Sequence, residues 1–531
     1  MLVSPVKANS LAPYQGDWDL NTAAHLLKRT TFGPKYQEIK EVQAMGLSKA
    51  IETLLADAPL PDPPVNFSDE NDSVPIGEVW VDAPMPQVSR FRRRKSLLSW
   101  TVMQQVEEGI SIREKMTLLW HDHFAIESGV VNDARFLYQY QTLLRTNALG
   151  DFKQLVKDMT IDPTMLRYLD GRRNTKNKPN ENYARELLEL FTIGKGPIVG
   201  PGDYTNYTED DIIAIARILT GWREYGYNST EIGTPYSSFL PNNHDTEQKQ
   251  LSHRFDQVVF SDAGEQEYEQ LINLIFTKPA VAYFICRKIY RWFVNFEITD
   301  AIEADIIQPL GDLFIENNFQ IRPVVEMLLQ SDHFFSEGIC GAMIKNPMDY
   351  LAGVVRQTEM DTFKDDLAKY YNAYYKVFQQ LQLTEMAYFV PPNVAGWPAY
   401  YQEPAYYQAW INTATLNPRN DFMTGITSQR GWLNFRHKVD ALKLVSTIDN
   451  AADPNELIRN LGLLFNPLPL EDNQLQYLKE ILIPGLPDFE WTVEYNKHLD
   501  DPSDSNLAQA VEQQLLNLLR AMFAMPESYL S

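Results

Sequence analysis

A helical period runs through most of the chain. Over residues 19 to 56, DLNTAAHLLKRTTFGPKYQEIKEVQAMGLSKAIETLLA, apolar positions recur every three or four residues and break at Gly33-Pro34 and Gly46, which predicts short helices. The segment that follows, DAPLPDPPVNFSDENDSVPIGEVWVDAPMPQ, cannot hold a helix, because its prolines remove donors and fix the backbone angle. It is expected to be a long ordered loop or a linker. Helical spacing returns from Arg94 to about Leu149 and over 151 to 170. It is clearest in YTEDDIIAIARILTGW, where Thr208 sits as an N-cap, acids fill the first turn and Gly221 lies near the end.

Residues 223 to 262 look irregular, with only RFDQVVF at 254 to 260 resembling a strand. The helical period covers 263 to 296, 300 to 317, 321 to 331 and 346 to 389, and again about 420 to 531. A Pro- and aromatic-rich loop, FVPPNVAGWPAYYQEPAYYQAW, separates the last two. The expected fold is mainly α: a large multi-helix globular body with long ordered loops and little strand. We expect a main helical domain over 1–425, containing the Pro-rich loop at about 57–88, and a C-terminal helical extension over 426–531 packed on it.

One helix raises a chemical question. In NENYARELLELFTIG, residues 180 to 194, Glu181, Asn182, Arg185, Glu186 and Glu189 fall within a wedge of about 140°, and apolar residues fill the rest. Asn180 is placed as the N-cap and Gly194 as the left-handed stop. A solvated helix with i, i+4 ion pairs satisfies this pattern. An apolar arc wider than 180° instead suits a central helix whose polar wedge faces a cleft. There Glu186 would serve as general base or metal ligand, with Arg185 as its partner.

Three further stretches carry candidate chemistry. In REKMTLLWHDHFAIESG, His123 shares a face with Met116, Leu119 and Trp120, while His121 lies on nearly the opposite one. Either the histidines are satisfied in the core, or the helix ends near Trp120 and both become available as ligands. In PNNHDTEQKQLSHRF, His244 and Asp245 read as a proton-transfer couple or ligand pair, or as turn formers. The loop around Trp397, with Tyr400, Tyr401, Tyr406 and Tyr407, reads as a stacking platform or as a lid packed on the core. No Glu-x-x-His, HExxH, GxSxG or GxxxxGK[ST] motif occurs, and GKGPIVG has the wrong spacing for a dinucleotide loop.

Composition narrows the class. The chain has 531 residues, 44% apolar, 12% aromatic and 22% charged, in the range of soluble globular proteins. Its 47 Lys+Arg against 70 Asp+Glu leave a net charge of −23, which repels phosphate backbones and excludes general nucleic-acid binding. The one basic run, SRFRRRKSLLSW, reads as a solvated helix start in preference to an anion-docking patch. Cys286 and Cys340 form no CxxC pair and read as buried thiols. No stretch of about 18 apolar residues suggests a transmembrane segment, and the start lacks a leader pattern, so a cytoplasmic location is expected unless a leader was removed.

Several of these motifs recur together in a known order. AAHLLKRTTFGP, WHDHF, NENYARELLELFTIG, YTEDDIIAIARILTGW, the His244-Asp245 loop, KNPMDYLAGVVRQ and PPNVAGWPAYYQEPAYYQAWINTATLNPRNDF resemble the bacterial family catalogued as domain of unknown function 1800. The resemblance implies a large helical protein, often encoded beside a phosphatase- or sulfatase-like protein that would be its partner. Many relatives carry export signals, from which this N-terminus departs. The polar positions matching the family pattern are His121, His123, Asn180, Glu181, Arg185, Glu186, His244 and Asp245.

The resulting expectation is a polar pocket where the helices at 180–194 and 111–126 meet the loop at 241–255. Glu186, Arg185, His244 and Asp245 would carry chemistry, and Asn180, Glu181 and Trp397 would bind. His121, His123 and Glu186 would hold a divalent metal ion for hydrolysis. The competing expectation is a non-catalytic scaffold or chaperone-like partner of the phosphatase/sulfatase-like protein.

Overall fold

Local capping decides where the helices begin. Asp19 opens Leu20–Thr30 by accepting the Asn21 and Thr22 amides at 2.8 and 2.9 Å, while the Thr22 hydroxyl takes the Asp19 amide at 2.8 Å. Thr208 and Asp211 close the same reciprocal box at the start of Glu209–Ile218. These elements come from a computed structural model that describes residues 11–428, 431–432 and 437–531. The first ten residues of the segment read for a leader lie outside the described residues, as do 429–430 and 433–436, next to the boundary expected near 425.

The architecture is mainly α. Strand is confined, among the described residues, to three two-stranded antiparallel ribbons: Ile198–Gly200 with Asp203–Tyr204, Trp222–Tyr225 with Tyr236–Phe239, and Lys249–Gln250 with Val259–Phe260. Only the end of the strand expected at 254 to 260 forms, since His253–Phe255 is a 3₁₀ turn. One continuous apolar cluster extends from Ala23 to Met525. No helix among the described residues is long and apolar enough to cross a membrane. Cys286 is buried as expected, whereas Cys340 is only partly so.

The Pro-rich segment is an ordered loop, not a linker. Val65 pairs with Val79, and Trp80, fully buried, donates its indole N–H to Ser96 at 3.1 Å. The basic run starts a helix whose Phe91 and Arg92 are exposed, but it is not solvated throughout. Its helix begins at Arg90, and Arg93 is turned inward, where its guanidinium forks onto Asp72 at 2.8 and 2.6 Å with both side chains 1% exposed. A buried guanidinium persists because the loop supplies this carboxylate and the Trp80 and Ala83 carbonyls.

The acidic helix departs from a regular α-helix halfway along. It is α over Glu181–Glu186 and widens into a π turn over Leu187–Phe191. The turn lets Leu187, Leu188 and Phe191 all reach the core. Gly194, at φ +69°, ends it by donating its amide to the Leu188 carbonyl at 2.9 Å.

Candidate functional site

The Arg113–His123 helix runs unbroken through both histidines, so they face different neighbours. His121 is fully buried and bonded at both ring nitrogens: Nε2 accepts the Phe389 amide at 3.0 Å and Nδ1 pairs with the Tyr140 hydroxyl at 3.0 Å. Tyr140 itself donates to the Phe124 carbonyl at 2.7 Å, so Nδ1 must carry the proton and the ring is neutral. Burial pulls its pKa down to about 3. His123 is held separately, with Nε2 against the Phe191 carbonyl at 3.1 Å, and burial drives its pKa well below the ordinary value.

Trp397 is 1% exposed and meets His121 edge to face at 5.6 Å, so it packs on the core and presents no stacking face to solvent. Its backbone amide donates to Asp122 at 2.8 Å. The approach is so close that a Cβ on Gly396 would lie 2.3 Å from an Asp122 carboxylate oxygen. Burial raises the Asp122 carboxyl to about 7.

The polar wedge of the acidic helix turns elsewhere. Asn180 caps the helix by accepting the Asn182 amide at 3.0 Å. Arg185 forks onto Glu209 at 3.0 and 2.7 Å, with Glu181 at 3.7 Å from the same guanidinium, and all three side chains are a third to a half exposed. Glu186 is partly buried; burial and neighbouring Glu189 raise its carboxyl against the pull of Arg185. The acidic helix does meet the Arg113–His123 helix, but through the Phe191 carbonyl, not through its carboxylates.

His244 and Asp245 are also parted from each other. Asp245 turns to Arg217, accepting Nε at 2.7 Å, and that ion pair holds its carboxyl low against the effect of burial. Glu209 and Arg217 stand eight residues apart on one helix, a separation of about 12 Å. The Arg185 end and the Asp245 end of the expected pocket therefore sit at opposite ends of Glu209–Ile218. The ligand set expected from His121, His123 and Glu186 is not assembled: His121 is bonded at both ring nitrogens, and His123, whose Nε2 is held by the Phe191 carbonyl, does not come together with Glu186.

A different cluster forms around His244. Its Nδ1 lies 2.9 Å from the Thr220 carbonyl, a contact permitted by Gly221, where a Cβ would come within 3.3 Å of the His244 Cβ. Its Nε2 points at Glu267 Oε1, 3.1 Å away, and at Asp262, 3.8 Å away. Glu267 is fully buried and also accepts both Lys249 Nζ contacts, at 2.9 and 2.8 Å, and the Ala263 amide at 3.1 Å. Burial disfavours the charged imidazole, yet Glu267 and the Thr220 carbonyl outweigh it and raise the His244 pKa. Burial likewise opposes ionised Glu267, and the His244 and Lys249 hydrogen bonds hold its pKa below the ordinary value. One ligand atom from each of His244, Asp262 and Glu267 lies within 4.8 Å of the others, the one such group of three His, Cys, Asp or Glu side chains among the described residues.

Sequence reasoning selected His244 but missed Glu267, Asp262, Lys249 and Thr220. Asp262 and Glu267 flank the start of Glu267–Ile275, where first-turn acids are routine, so no local signal sets them apart. Comparisons with curated proteins and with solved structures gave no match. The family model described as protein of unknown function (DUF1800) matches residues 25–527, nearly the whole chain, and the chain belongs to that family.

Proposed function

We propose that the protein is a metal-assisted hydrolase whose divalent ion is held by His244 Nε2, Asp262 and Glu267. The observation that carries this reading is the orientation of one imidazole. With Nδ1–H donated to the Thr220 carbonyl, Nε2 is directed at two carboxylates and, once it gives up the proton it shares with Glu267, presents its lone pair between them, the arrangement that a backbone acceptor imposes on metal-binding histidines. Two ligands about 2.0–2.1 Å from a tetrahedral ion stand about 3.3 Å apart. The His244 separations of 3.1 and 3.8 Å bracket that edge. A nitrogen with two carboxylates suits zinc or manganese. Asp262 is half exposed, which leaves a solvent side for water and substrate. A bound ion supplies a water acidified toward neutral pH as nucleophile.

Lys249 competes for the same carboxylate, and His244 must lose a proton to bind metal, so affinity rises with pH. Elemental analysis of protein purified without chelator, followed by zinc and manganese titration and assay on activated carboxylic and phosphoric esters, tests the reading. One ion per chain, with metal-dependent turnover lost in Asp262→Asn, is expected. Substoichiometric metal, no binding on titration and no metal-dependent turnover would end it.

A further inference from the structure

Far along the chain from His244, five cations gather between the first helix, the Arg113–His123 helix and the C-terminal residues: Lys28, Arg29, Lys115, Lys345 and Arg419. Lys28, Arg29, Lys115 and Arg419 are each less than a tenth exposed. The carboxylate facing them is Asp349, which contacts Lys115 and accepts Asn346 Nδ2 at 2.8 Å. Most of the remaining donors end on carbonyls. Lys28 reaches Leu463 at 2.6 Å, Lys345 reaches Phe465 and Ser528 at 3.0 and 2.9 Å, and Arg419 reaches the Lys345 carbonyl at 3.2 Å. Carbonyl dipoles solvate these cations without neutralising them, and buried charge in excess is costly unless something of opposite sign joins it.

Among the buried donors without a hydrogen-bond partner are Arg29 Nε, Arg419 Nε and the Trp292 indole N–H. Arg29 and Trp292, with Lys28, Lys115, Asp349 and Ser531, are among the residues that line one narrow cavity of about 20 Å³. A single water needs about 10–15 Å³, so there is room for one small group. We propose that this cavity binds a single monatomic anion of about the size of a water molecule, chloride, through Arg29, Lys115 and the Trp292 N–H. Guanidinium, ammonium and indole offer only donors, so their common ligand is an acceptor, and the excess of these cations over the Asp349 carboxylate makes it a negatively charged one. A cation is excluded by the local excess of positive charge. Burial, and after it the neighbouring cations, lower the pKa of Lys28, and the same pressure acts on Lys345; an anion would relieve both.

Calorimetric titration of the full chain with sodium chloride, and with sodium sulfate as an anion too large for the cavity, in gluconate buffer at constant ionic strength, tests the proposal. Saturable chloride binding with one site per chain is expected, and none for sulfate. Trp292→Phe removes an N–H that has no other partner, so it should weaken binding about tenfold, the value of one hydrogen bond to a charged group. The unfolding temperature without anion reports separately what the smaller ring loses in packing against Tyr400. Absence of saturable chloride binding, or Trp292→Phe binding chloride as tightly as the parent, overturns the proposal. Binding that appears only once Ser531 is removed would give the cavity to the chain's own carboxylate and overturn it as well.

Discussion

Replacing His121 by leucine separates a structural imidazole from a ligand. The substitution leaves the buried Phe389 amide without its acceptor, at a cost of about 1–3 kcal/mol. It also removes the face-to-face stack on Tyr388, 4.3 Å between centroids, worth about 0.5–1.5 kcal/mol. The expected loss near pH 7 is therefore about 1.5–4.5 kcal/mol. The sign of the pH dependence follows from the ring's own equilibria. In the folded protein its pKa is about 3, while in the unfolded chain it is about 6.5.

Between those values the unfolded chain binds one proton more, so the parent loses about 1.4 kcal/mol per pH unit from this ring as pH falls below about 6.5. The leucine variant loses nothing on this account. The stability gap should shrink by about 2.3 kcal/mol between about pH 6.5, where the unfolded ring is already half protonated, and about pH 4.5. Contributions of the other buried histidines cancel in the difference. Urea unfolding followed by far-ultraviolet circular dichroism at the two pH values measures the gap. A gap that holds constant with pH, or that widens when zinc is added, would refute the assignment of His121 as a neutral core group.

Lys249→Met removes both ammonium contacts to Glu267 and should lower stability by about 3–5 kcal/mol. Added zinc should restore part of that loss by replacing the missing positive charge. A thermal shift unchanged by zinc counts against the metal reading. Arg93→Met breaks an ion pair whose partners are both 1% exposed, and should cost about 3–5 kcal/mol, largely recovered when Asp72→Leu is added. Urea midpoints of the single and double variants decide this, and a single-variant cost under about 1 kcal/mol would mean the pair is solvated. Arg185→Ala, by contrast, breaks a partly exposed pair with Glu209 and should cost under about 1 kcal/mol, leaving zinc titration unchanged.

The polar residues of the acidic helix illustrate how far local pattern carries. Asn180 as N-cap and Gly194 as left-handed stop were both legible, because each bonds an amide or carbonyl within a few residues of itself. The wedge angle of Glu181, Arg185 and Glu186 was legible too, but not what it faces, since Glu209 lies on the next helix. The π turn after Glu186 was not legible, because the packing of Leu187, Leu188 and Phe191 widens a stretch whose spacing reads as ordinary helix.

By itself the sequence determined several helix caps, such as Asn180, Gly194 and Thr208, the mainly α class, the order of the loops and the family, all legible from short-range capping signals, residue periodicity and motifs. Only the tertiary structure decided which polar groups remain available for chemistry. His121 is bonded to residues at 140 and 389, Arg93 to Asp72, and His244 to Glu267. Whether a buried charge or lone pair is satisfied depends on distance in space inside a medium of low dielectric, and that distance is set by packing between segments far apart along the chain.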